Sequence, residues 1–91
     1  MKTQEKERIK EMVRAILESP HLPFRGKIKV GLQIRRTNLA TIARRLKVTS
    51  DYVYHVVHYR DKSWEAGAMR VRNAVARALW TTPDKLWPRG N

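Results

Sequence analysis

The chain contains no cysteine, which removes disulfides and thiolate metal sites together. Carboxylates are scarce: 8 Asp and Glu stand against 20 Lys and Arg, a formal charge of +12 over 91 residues. No apolar run approaches the roughly 18 residues of a membrane span, and the N-terminus is charged rather than signal-like. A soluble cytoplasmic protein without a membrane partner is expected. There is no glycine-rich phosphate loop, since Phe24-Arg25-Gly26 is too short, and no serine–histidine–acid arrangement that spacing supports. Neither an enzyme nor a cofactor is expected. No internal repeat or low-complexity tract divides the chain, so residues 1–91 read as one domain. A domain of this size buries only about 60–65% of its unfolded surface, and the 42% apolar fraction is enough for a core.

What remains is charge, and it is uneven. Residues 1–19 hold five basic side chains (Lys2, Lys6, Arg8, Lys10, Arg14) and four acidic ones (Glu5, Glu7, Glu11, Glu18), net +1. Residues 20–91 hold fifteen basic and four acidic, net +11. The first segment is a balanced helix surface, whereas the second suits a polyanion, with nucleic acid foremost. An acidic membrane surface fits less well, because the charges are spread through a folded unit rather than along one amphipathic helix.

Hydrophobic spacing indicates an all-α fold of five or six short helices. Ile9, Met12, Val13, Ile16 and Leu17 form one helical stripe, and Ser19-Pro20 ends it. A second helix runs from about Phe24 or Lys27 to Arg36. Asn38 is a suitable N-cap for "LATIARRL", and Thr49 for "SDYVYHVVHY". In the latter, Val53, Val56 and Val57 lie three and four apart, which favours helix over strand despite their β-branching. After a loop, "RDKSWEAG", a helix from about Ala66 to Trp80 is expected to bury Val71, Ala74, Val75, Ala78 and Leu79. A last helical turn follows Thr82 as N-cap and Pro83 at the first position. Trp80 and Trp87 are read as anchors of these C-terminal helices, while Trp64 lies in a basic loop and is free to approach a DNA backbone.

Residues 39–58 match a helix-turn-helix. Ile42, Leu46, Val48, Val53 and Val56 take the apolar places, Ala43 is the small residue at the crossing, and "KVT" is the turn. Lys47 stands where glycine would adopt a left-handed backbone more easily, a cost of about 1 kcal/mol. If the second helix enters a major groove, its outward residues Ser50, Asp51, Tyr54, His55 and His58 are candidates to read base edges. Arg35, Arg36, Asn38, Arg44, Arg45, Lys47, Thr49, Arg60 and Lys62 bracket it and are candidates for phosphate contacts. Histidines near phosphate should make binding strengthen as pH falls through about 6.5.

From about Ile28 to Pro88, two thirds of the chain, the sequence resembles the Ner proteins of Mu-like phages, a branch of the lambda-repressor-like helix-turn-helix fold. The matching pieces are "VGLQIRR", "LATIARRLKV" and "VARALWTTPDKLWP". The resemblance implies sequence-specific binding to double-stranded DNA and negative regulation of early phage transcription in a bacterial cytoplasm, at the nucleoid. It also implies contacts through Ser50, Asp51, Tyr54, His55 and His58. Three features depart from the family: the helix before Pro20, Lys47 in the turn, and the longer loop "YRDKSWEAGAM".

Other readings compete. Asp51, His55 and His58 share one helical face, but zinc usually takes a fourth ligand and the nearest other histidine is His21, so no metal is expected. The N-terminal stripe needs a cover, either its own domain or a second protomer, and a homodimer on DNA is one such arrangement. An antitoxin-like protein-interaction module and an architectural DNA binder without sequence preference are the alternatives to a regulator.

Overall fold

Six helices follow one another in the order α1 Lys2–Glu18, α2 Phe24–Ile34, α3 Leu39–Leu46, α4 Ser50–His58, α5 Ala66–Ala78 and α6 Pro83–Leu86. The structure is a computed structural model that describes residues 2–58 and 66–88, with side chains from residue 4 onward. Among these residues there is no strand, and no helix is long and apolar enough to cross a membrane.

One core joins all six helices. Val13 of α1, Ile28 and Leu32 of α2, and Ile42 and Ala43 of α3 meet Val53, Val56 and Val57 of α4 there. Val71, Val75 and Leu79 close it from α5, and Trp87 from the end of α6. Gly31 lets α2 approach the end of α5, because a Cβ there would stand 2.8 Å from Leu79 Cδ2.

The N-terminal stripe is covered by its own domain. Val13 is buried, and Ile9 and Leu17 pack beside it. Met12, grouped with them by spacing, instead stays 53% exposed. The stripe read from sequence is therefore wider than the contact it makes.

The helix starts follow side-chain chemistry. Asn38 Oδ1 accepts from the Thr41 amide at 2.8 Å, and Thr49 Oγ1 accepts from the Tyr52 amide at 3.1 Å. These bonds occupy N–H groups that a helix start otherwise leaves unmet. Thr82 takes the expected N-cap position of α6 but makes no side-chain cap bond; Pro83 at the first turn supplies the helical φ instead.

Three helix ends share one device. Arg36, Lys47 and Trp80 have φ values of 56°, 60° and 55°, the left-handed region, and none is glycine. After each, an amide reaches back across the turn: Thr37 N to Leu32 O at 2.9 Å, Val48 N to Ala43 O at 3.0 Å, and Thr81 N to Ala76 O at 2.9 Å. This is the Schellman closure, which satisfies carbonyls the helix end exposes. It corrects the expected end of α5: the helix stops at Ala78, and Trp80 already belongs to the left-handed turn. The burial pattern of α5 is also shifted. Ala68, Val71, Arg72, Val75 and Ala76 are buried, whereas Ala74 and Ala78 are half-buried.

Candidate nucleic-acid interface

α3 and α4 are joined by Lys47, Val48 and Thr49 alone. α4 holds to the body by one side: Val53 and Val57 are 0% exposed and Val56 is 3% exposed. Its C-terminal end is tied by Trp87, whose indole Nε1 donates to Val57 O at 2.9 Å. The indole also meets Phe24 edge-on at 6.0 Å between centroids. Both tryptophan expectations hold in kind. Trp87 locks α6 onto α4, and Trp80 sits between Lys10 of α1 and the Arg35 guanidinium, which lies 3.9 Å from its ring.

With the valine side fixed inward, Ser50, Asp51, Tyr54 and His55 are turned to solvent, Tyr54 being 41% exposed. Tyr52 is also exposed, but it leaves from another side of α4, with its hydroxyl 3.1 Å from where a Cβ on Gly67 of α5 would stand. It is not part of the same face.

His58 departs from the expectation placed on it. Its ring packs against Tyr54 at 4.4 Å and edge-on to Phe24 at 6.1 Å between centroids. Its Nδ1 is buried without a hydrogen-bond partner among the described residues. Burial, and then the nearby charge of Arg25, hold its pKa below the usual histidine value. His58 therefore supports Tyr54 from beneath rather than reaching outward, and it resists the protonation anticipated for a histidine beside phosphate. The Asp51, His55 and His58 face does not converge either: no group of three potential metal ligands is found among the described residues.

The cations sort into two sets that the sequence had merged. Arg44 and Lys47 are exposed on α3 and its turn. Arg25 and Lys29 of α2, which spacing alone did not single out, line a groove of about 470 Å³ together with Gln33, Asn38, Tyr54 and His58. Arg25 also lies 5.7 Å from the Tyr54 ring centroid. A sequence signal for them was present, because Arg25, Lys29 and Gln33 are spaced by four on one helical face.

Arg36 and Arg45 gather elsewhere, with Arg77 of α5, around a hollow to which α4 contributes nothing. Arg35 has a task inside the fold. Its Nε donates to Ala78 O at 2.7 Å and its guanidinium stacks on Trp80, so it joins the end of α2 to the end of α5. Asn38 and Thr49 likewise commit their oxygens to caps. Arg70, not anticipated, donates to Leu46 O at 3.2 Å and helps close α3. Arg60, Lys62 and Trp64 lie outside the described residues.

One ion pair, Lys10 to Glu7 at 4.0 Å on α1, is found among the described residues. Arg44, Lys47 and Lys29 have no carboxylate against them there. Among the described residues, then, no carboxylate pairs with these three cations. Comparisons of the chain with family models, with curated proteins and with solved structures give no match.

Proposed function

We propose that this protein is a sequence-specific double-stranded DNA-binding regulator, acting by occupancy rather than by chemistry, in the manner of the Ner-like phage repressors it resembles. The observation that carries the reading is the two-sided character of α4. Three buried valines and the Trp87 bond fix one side. Ser50, Asp51, Tyr54 and His55 stand out on the other, with Arg25 and Lys29 of α2 lining a groove beside Tyr54 and with Arg44 and Lys47 exposed on α3 and its turn.

A helix held this way fits a major groove about 12 Å wide. Hydroxyl and imidazole groups can hydrogen-bond base edges there, and the Tyr54 ring can meet a thymine methyl. Asp51 accepts from a cytosine amino group or orients a neighbour. Lys29, Arg44 and Lys47 then face phosphates, which position the protein without reading sequence. One helix of 9 residues spans only a short run of base pairs. Two copies on half-sites about one DNA turn apart would lengthen the site.

Selection from random duplexes tests the reading. An enriched site, with a log–log salt slope near −5 for about six phosphate contacts, supports it. Tight binding without enrichment favours an architectural binder, and failure to bind duplex favours a protein-interaction module.

A further inference from the structure

A second cluster of cations lies away from α4. Arg36 in the turn after α2, Arg45 of α3 and Arg77 of α5 surround a hollow of about 460 Å³, with Arg35 in its wall and the hydroxyls of Thr37 and Thr41 beside them. No carboxylate among the described residues lines it. Arg36, Arg45 and Arg77 are exposed and make no ion pair among the described residues. Like charges brought together repel, and no carboxylate among the described residues stands against them.

The arrangement is also built rather than loose. Arg35 is pinned by its bond to Ala78 O and by Trp80. Arg36 leaves from a left-handed turn closed by the Thr37 amide. Arg45 and Arg77 come from two helices of the core. Planar guanidinium forks on a firm base match the paired oxygens of a phosphodiester.

Position selects which phosphate. Thr41 and Arg45, one turn apart on α3, face the hollow, whereas Leu39 faces the groove shared with Tyr54. The hollow and α4 thus flank α3 on different sides. A helix is about 10 Å across, and in helix-turn-helix docking the first helix crosses the backbone while the second fills the groove. A duplex held by α4 continues past the other flank of α3.

We propose that the arginine hollow is a second DNA-backbone site, gripping the same duplex outside the groove that α4 occupies and extending the footprint beyond the bases that are read. This rests on the DNA-binding reading above. It assigns Arg77, on a helix outside the helix-turn-helix, a direct part in binding, and it separates Arg36 and Arg45 from Arg44 and Lys47.

The test compares the full chain with the triple variant Arg36→Gln, Arg45→Gln, Arg77→Gln, keeping Arg35 because it ties the fold. Circular dichroism confirms that the variant is folded. Removing one phosphate contact should take about 0.9 from the log–log salt slope, so the variant should lose two to three units. The wild-type protein should also lose affinity when about five base pairs are trimmed from each flank of the selected site, and the variant should not. A Tyr54→Ala companion should lose sequence discrimination yet keep the length dependence. An unchanged slope and unchanged length dependence in the triple variant would overturn the second site. If every duplex binds alike while the triple variant still loses its slope and length dependence, specific regulation fails and the second backbone site stands.

Discussion

α1 and α4 are opposite kinds of helix. α1 has 17 residues, rich in Glu, Lys and Arg, all good helix formers. Its length is near the point at which a helix begins to persist alone. It is attached to the body chiefly through Val13, with Ile9 and Leu17 beside it. α4 has 9 residues, including three valines, two tyrosines and two histidines, all middling or poor helix formers. It is far too short to persist alone, yet it is fastened by three buried valines, by Thr49 at its start and by Trp87 at its end. The helix that local propensity favours is loosely held, and the one that it disfavours is the better anchored. In the base-reading role proposed for it, α4 gains from this arrangement. Its conformation is dictated from behind, which leaves the composition of its outer face open to selection for contact.

The sharpest way to break the contrast is Trp87→Ala. Removing a buried indole and its bond to Val57 O should cost about 3–5 kcal/mol. Hydrogen exchange should then show α4 losing protection much more than α1 does. A variant that loses protection evenly along both helices would show that Trp87 serves the whole core and not α4.

Next, Tyr54→Ala and His55→Ala act on the outer face. Where the side chain touches a base, its removal should reduce discrimination by about 1–3 kcal/mol, with little change in melting temperature. Competition between the selected site and random duplex measures it. The Tyr54 change should have the broader effect, because His58 and Arg25 both rest against its ring.

A smaller effect is expected in the turn that precedes α4. Lys47→Gly relieves a left-handed side chain and should stabilise the fold by about 1 kcal/mol. The same change should make the salt slope shallower by about 0.9 if Lys47 meets a phosphate. Denaturant melts and a salt titration read the two consequences separately.

The smallest effect concerns pH. His58 has its folded-state pKa held below the ordinary value of 6.5, first by burial and then by Arg25. The unfolded chain therefore takes up a proton more readily. The stability this group contributes is full above pH 6.5 and is lost as pH falls from there toward its folded value. His58→Gln should flatten that acid-side decline in melting temperature. An identical pH profile in the variant would place the decline on other groups.

Much of the frame was legible because it rests on local rules. Asn38 and Thr49 are caps by their chemistry, Ala43 is small where two helices cross, and Lys47 occupies the left-handed position that a three-residue turn requires. The other two left-handed closures, at Arg36 and Trp80, carried no glycine to announce them. Burial of Arg72, 1% exposed against the Trp87 ring, was equally silent, since arginine reads as surface in any pattern of spacing. The exposed side of α4 was legible in part. The outward side of α4 follows once its valines are known to be inside, which turns Ser50, Asp51, Tyr54 and His55 to solvent. His58 was misplaced because what covers it, Phe24, comes from α2, more than thirty residues earlier in the chain. Arg35, Arg36, Arg44 and Arg45 form two adjacent pairs in sequence, but tertiary packing separates them, with Arg35 turned onto Trp80 and Arg45 onto the flank away from α4.

The single ion pair on α1 among the described residues gives the protein two opposed responses to ionic strength. In the free chain, salt screens cations that have no carboxylate beside them, and the folded state should gain stability as electrolyte is added. On the duplex proposed as its partner those cations would be satisfied by phosphate, and the same electrolyte should weaken the complex by taking away the advantage of counterion release. Conditions that make this protein most durable in a tube should therefore be those in which the proposed DNA complex is weakest. A buffer chosen by thermal stability alone would hide the proposed activity.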